Sequence, residues 1–105
     1  MVVKKKFSSF QELLSGSQLP VLVDFYATWC GPCQMMTPVL EQVNLQLQGR
    51  LQIVKIDTDK YPRLATQYRI QALPTLVLFK NGEPVARIEG VKQPLQLIQQ
   101  LQALV

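Results

Sequence analysis

Residues 21–33 read VLVDFYATWCGPC, and the parsing of this stretch decides the fold. Residues 21–27 form a mostly apolar run of β-branched and aromatic side chains, of strand length, interrupted by Asp24. From Pro32 onward the apolar positions Met35, Met36, Val39, Leu40, Val43 and Leu47 recur at spacings of three and four. That period predicts an amphipathic helix, kinked at Pro38 and ended by Gly49. A strand thus runs almost directly into a helix, and the only two cysteines of the chain, Cys30 and Cys33, stand at the junction.

Working outward, Ser9-Phe10-Gln11-Glu12 has capping-box spacing and opens a short helix to about Leu14, with a further edge strand placed near Val2 to Phe7. Downstream, LQIVKID at 51–57 reads as a strand, and Asp59 with Pro62 starts a third helix running to about Tyr68. The segments Thr75 to Lys80 and 83–89 flank Asn81-Gly82, the signature of an antiparallel hairpin with a tight turn. Pro94 opens a last helix carrying Leu95, Ile98, Leu101 and Leu104. Strands joined through helices pair in parallel, whereas the hairpin adds an antiparallel strand. The expected fold is α/β, a central mixed β-sheet flanked by helices on both faces, in one domain over residues 1–105. Chemistry in such sheets gathers beyond the carboxyl ends of the parallel strands, and Cys30 lies just past one of them.

Composition excludes several classes. Of the 105 residues 48% are hydrophobic and 17% charged, which suits a folded domain with one core. The net charge is +4, but Lys4, Lys5 and Lys6 supply three of the 11 basic residues and no aromatic-interleaved basic stripe follows, so nucleic-acid binding is not expected. The segment FSSFQELLSG after those lysines lacks the apolar centre of a signal peptide, and no stretch has the length of a membrane span. The expectation is a cytoplasmic protein, or alternatively the mature form of one imported into an organelle.

The chemistry of the cysteine pair follows from position. Helical neighbours three apart lie roughly 5–6 Å from each other, within disulfide reach. A helix N-terminus offers unpaired N–H groups and a partial positive charge that stabilise a thiolate, so Cys30 is the expected nucleophile. Cys33, one turn further in and nearer the apolar face, suits the resolving role. Three other uses of the pair are weaker. A structural disulfide across two residues gains little chain entropy; zinc needs four ligands in a chain with no histidine; and haem attachment needs histidine where Gln34 stands. No metal ligands and no cofactor are assigned. Asp24 is notable because a carboxylate inside a buried strand has its charged form desolvated, which raises its pKa; the alternative is a strand edge in water.

Taken together, DFYATWCGPC at 24–33, Pro38, VKIDTDKYP at 54–62, LPTLVLFKNGE at 73–83 and Gly90 resemble the thioredoxins over essentially the whole chain. The sequence is most similar to the y-type thioredoxins of cyanobacteria and chloroplasts, through YATWCGPCQ and QALPTLVLFK. The resemblance implies a thiol-disulfide oxidoreductase, a protein-disulfide reductase in which Cys30 attacks a target disulfide and Cys33 resolves the mixed disulfide. It implies that Asp24 is buried beneath the pair and moves protons to and from Cys33, with Lys55 beside it, although Lys55 could equally snorkel to solvent. It further implies that Pro74 is a cis-proline against the cysteines, and that Trp29, Gly31, Pro32, Leu73 and Gly90 form an apolar surface around an exposed sulfur. For Leu73, core packing is the competing use.

The partners implied are a thioredoxin reductase, NADPH- or ferredoxin-dependent, and disulfide-bearing targets such as peroxiredoxins and methionine sulfoxide reductases, with the protein itself a monomer. Tyr26 and Gln34 depart from the common bacterial pattern of a second tryptophan and a basic residue, but both occur in the y-type. Two rival classes remain: a binding module in which the cysteines do not turn over, and a disulfide oxidase or isomerase, which usually carries histidine between the cysteines instead of Gly31-Pro32.

Overall fold

A computed structural model describes residues 2–3 and 9–105. In chain order the elements are Val2–Val3 (β1), Phe10–Ser15 (α1), Val21–Tyr26 (β2), Gly31–Gln46 (α2), Gln52–Asp57 (β3), Pro62–Gln67 (α3), Thr75–Lys80 (β4), Glu83–Glu89 (β5) and Pro94–Gln102 (α4). Of the edge strand expected near Val2 to Phe7, only β1 lies within the described residues. The sheet order is β1-β3-β2-β4-β5, with β3 parallel to β1 and β2, and β4 antiparallel to β2 and β5. The expected mixed sheet is present.

β2 is central, and its first five residues are all buried. Side chains alternate along a strand, so the sheet feeds two cores. Leu22, Ile53, Leu76 and Leu78 join Met36, Leu40 and Val43 of α2 and Leu97 and Leu101 of α4. Val21, Val23, Phe25, Val54, Ile56 and Phe79 join Phe10 and Leu14 of α1, with Leu64 and Tyr68 packed against them. By the same alternation Asp24 and its register partner Lys55 lie on the α2/α4 side of the sheet.

Local chemistry explains the element ends. Ser9 Oγ accepts the Glu12 N–H at 3.3 Å and caps α1. Asn81 and Gly82 both adopt positive φ, 53° and 82°, as a two-residue hairpin turn requires. Three sequence expectations are corrected. Met35 is 61% exposed and falls outside the inward stripe of α2, which is Met36, Val39, Leu40 and Val43. In α4, Leu95 is exposed and the inward line is Leu97 and Leu101, because the 3.6-residue turn pairs positions four apart while Leu95 lies about 200° round from Leu97. Asp59 does not cap α3: the N-cap position is Tyr61, whose side chain makes no capping bond, and Asp59 is engaged elsewhere.

The phase of α4 is directly testable. Leu97→Ala should cost about 3 kcal/mol by emptying a fully buried site, whereas Leu95→Ala should change stability by less than about 0.5 kcal/mol. Urea midpoints of the two variants measure both effects.

Candidate active site

The site forms where β2 ends. Beyond Tyr26 the chain keeps Ala27 buried, exposes Thr28 and Trp29, and turns at Cys30, whose N–H donates to Ala27 O at 3.2 Å. Cys30 is the N-cap of α2, with extended backbone, and its Sγ accepts the Cys33 N–H at 3.2 Å. Sulfur thus occupies the position that an oxygen of Ser or Asp takes in an ordinary cap. Cys30 and Cys33 are joined in a disulfide with a Cα–Cα separation of 5.3 Å. No acidic residue stands in the first turn of α2, so nothing there opposes the positive end of the helix dipole. Once the bond is reduced, the same N–H and dipole face a Cys30 thiolate and favour it.

The expectation of an exposed Cys30 sulfur is corrected: Cys30 is 5% exposed and Cys33 4%. The packing of Ala27, Tyr26 and Leu73 around the disulfide covers both residues. What distinguishes them is the space each faces. Cys30 lines a groove of about 480 Å³ together with Trp29, Gly31, Pro32, Thr58, Ala65, Ile70, Gln71 and Leu73. Cys33 lines a separate cleft of about 250 Å³ with Tyr26, Thr28, Gln34, Thr37 and Lys55.

The groove is braced by the loop after β3. Trp29 is 71% exposed, yet its Nε1–H donates to Asp59 Oδ2 at 2.9 Å, and the Asp59 N–H donates in turn to Asp57 Oδ1 at 2.9 Å. Thr58 donates to Tyr26 O from both its N–H and its hydroxyl. On the opposite wall the Leu73–Pro74 peptide bond is cis. Thr75 Oγ1 donates to Ala72 O at 2.6 Å, and the Gly90 N–H donates to Pro74 O at 2.9 Å. Gly90 needs its φ of 83° to make that approach. Trp29, Gly31, Pro32 and Leu73 therefore meet around Cys30 as expected, while Pro74 is buried behind them and Gly90 reaches the groove only through Pro74. Leu73 packs against both the disulfide cluster and the α1/α3 core, and it also lines the groove. Sequence reasoning missed Thr58, Ala65, Ile70 and Gln71, and missed the tie from Asp59 to Trp29. The one available signal was that the 58–61 loop also follows a parallel strand end.

Asp24 is 1% exposed, and neither carboxylate oxygen has a hydrogen-bond partner among the described residues. Burial pushes its pKa up to about 6, against the smaller opposing pull of Lys55. The Lys55 ammonium sits 4.8 Å over the Tyr26 ring, and Lys55, the register partner of Asp24, lines the same cleft as Cys33.

The sequence model of the family described as thioredoxin matches residues 1–103. The chain belongs to the thioredoxin family. It is 70% identical over 105 residues to a thioredoxin-like protein of Synechocystis, covering all of both chains. It is 57% identical over 100 residues to the chloroplastic thioredoxin Y of Oryza sativa, matching 95% of this chain and 60% of that protein, so it spans about three-fifths of the rice relative. A bifunctional thioredoxin reductase/thioredoxin of Mycobacterium leprae is 43% identical over 98 residues, 93% of this chain and 21% of that protein. With its Cys30–Cys33 pair the chain is a thiol-disulfide oxidoreductase, a thioredoxin-type protein-disulfide reductase. Its partners as a thioredoxin are a reductase and disulfide-bearing proteins.

The buried carboxyl makes stability depend on pH. Its folded pKa of about 6 lies above the ordinary 3.8, so the folded protein holds a proton that the unfolded chain has released between those values. Stability from this group is complete well below pH 3.8, falls by about 3 kcal/mol in all as pH rises through 6, and is flat above about pH 7. Asp24→Asn should remove that slope, making the oxidised variant more stable than the parent above pH 7 and no more stable below pH 4. Urea unfolding across pH 4 to 8 reads the difference.

Proposed function

We propose that the reduced protein attacks disulfides of partner proteins with Cys30 and completes the exchange with Cys33. The observation that carries this is Cys30 Sγ at the N-cap of α2, receiving the Cys33 N–H while facing the groove. The Cys30 thiolate attacks one sulfur of the target disulfide, forms a mixed disulfide and expels the other sulfur as a thiolate. Cys33 then gives up its proton and attacks Cys30 Sγ. The Cys30–Cys33 bond forms, the bond to the target breaks, and the target leaves with two electrons more as a dithiol.

In this scheme Asp24 accepts the Cys33 proton. Its pKa of about 6 leaves it ionised at neutral pH yet close enough to exchange protons there. Lys55 holds that charge in place from the next strand. Trp29, Gly31, Pro32 and Leu73 receive the target chain by apolar contact, and Pro74 and Gly90 hold the wall behind it.

The targets proposed are peroxiredoxins and methionine sulfoxide reductases, the classes that the y-type resemblance of the sequence implies. The donor proposed is a thioredoxin reductase, NADPH- or ferredoxin-dependent, a pairing supported by a mycobacterial relative whose name joins the two activities in one chain. The working unit proposed is the monomer. A pair that must be returned to the dithiol state operates in a reducing compartment, which favours the cytoplasm, or the chloroplast stroma as the alternative.

The two cysteines should fail differently. Cys30→Ser should abolish insulin reduction and trap nothing, whereas Cys33→Ser should still attack and accumulate a covalent adduct with oxidised peroxiredoxin on a non-reducing gel. Undiminished activity in Cys30→Ser would overturn the assignment.

A further inference from the structure

The groove wall formed by residues 70–74 has no regular structure of its own, yet it carries Ile70, Gln71 and Leu73 beside Cys30. It leaves α3, a helix with no basic residue in its last turn, by way of Arg69 at φ 54°. That left-handed conformation is disfavoured for a residue with a Cβ and persists where neighbours over-determine it. The neighbour is Arg87 on β5. Its Nη2 donates to the carbonyls of Tyr68 and Arg69 at 2.6 and 2.8 Å, bonding carbonyls at the end of α3. With the exit fixed in this way, the Ile70 N–H bonds Ala65 O at 2.8 Å. Three residues further along the chain, Gly90 holds the other end of the same wall through Pro74 O. Arg87 of the edge strand and Gly90, the residue that follows that strand, thus secure the wall at both ends.

We propose that Arg87 is a positioning residue for target capture, setting the 70–74 wall from the far side of α3. Arg87 does not line the groove; it borders a separate pocket with Gln67, Tyr68 and Arg69. Its removal leaves the two sulfurs, the α2 N-terminus and Asp24 as they are, and loosens only the surface that receives a protein. The inference rests on reading that groove as the target-binding surface.

The test compares insulin with the small disulfide DTNB, using the full chain at about 0.5 M salt to screen long-range charge effects. Arg87→Ala should raise KM for insulin about five- to tenfold with kcat within about twofold, and leave the DTNB rate within about twofold. Hydrogen exchange at the Ile70 amide should quicken. Arg87→Lys, which keeps the charge on a different head, should recover part of the loss. Trp29→Ala, an exposed groove residue, is the control. If it raises KM for insulin while Arg87→Ala does not, the inference about Arg87 is overturned and the groove reading stands. If neither variant moves KM, both fall. Equal losses on insulin and DTNB in Arg87→Ala would mark a general structural defect and overturn the positioning role.

Discussion

The hydrogen bond from the Cys33 N–H to Cys30 Sγ is the contact on which the rest of this structure converges. It exists because β2 stops and α2 starts within a few residues, so the first turn of the helix points its unpaired N–H groups at a sulfur. Holding that junction still requires β2 at the centre of the sheet, paired with β3 on one side and β4 on the other. It also requires α2 to be fastened by Met36, Leu40 and Val43 to the core that α4 closes. The loops after β3 and before β4 then pack around the junction, one bonded to Trp29 and the other laid against the disulfide. A neutral helix start and a buried sulfur pair together make a site in which the protein environment tunes thiol chemistry.

Asp24 shows what this arrangement costs. A carboxylate in the central strand with no hydrogen-bond partner among the described residues is a destabilising choice whenever it is ionised, and an apolar residue would pack there more favourably. In the role proposed for it, as acceptor of the Cys33 proton, the burial that destabilises the charge also lifts the pKa toward the range where protons are exchanged. On that proposal, stability and turnover are set against each other at one side chain.

Much of this was legible in VLVDFYATWCGPC alone. Its period changes from strand to helix at the cysteines, and a lone carboxylate in an otherwise apolar strand marks itself as unusual. The hairpin at Asn81-Gly82 was equally plain, since few residue pairs tolerate two positive φ angles in succession. What stayed hidden depends on contacts distant in sequence. Leu95 and Leu97 are both leucines, and only the neighbouring α2 decides which faces inward. Asp59 stood in good position to cap α3, and a bond to an indole 30 residues away claimed it instead. Thr58, Ile70 and Gln71 carry no local mark of a groove, and the tie from Arg87 to Tyr68 and Arg69 crosses 18 or 19 positions of chain. The burial of Cys30 was misread because a helix-start position is usually open to solvent, whereas here Leu73 leans over it.

If the α2 N-terminus is what makes Cys30 the attacking group, that property belongs to the reduced protein and can be titrated. Alkylation by iodoacetamide, followed residue by residue by mass spectrometry from pH 5 to 10, measures it. The account predicts that Cys30 is modified first, with an apparent pKa clearly below the roughly 8.5 of a free thiol, while Cys33 stays protected to higher pH. Equal rates at the two cysteines, or a Cys30 midpoint at or above the free-thiol value, would contradict it.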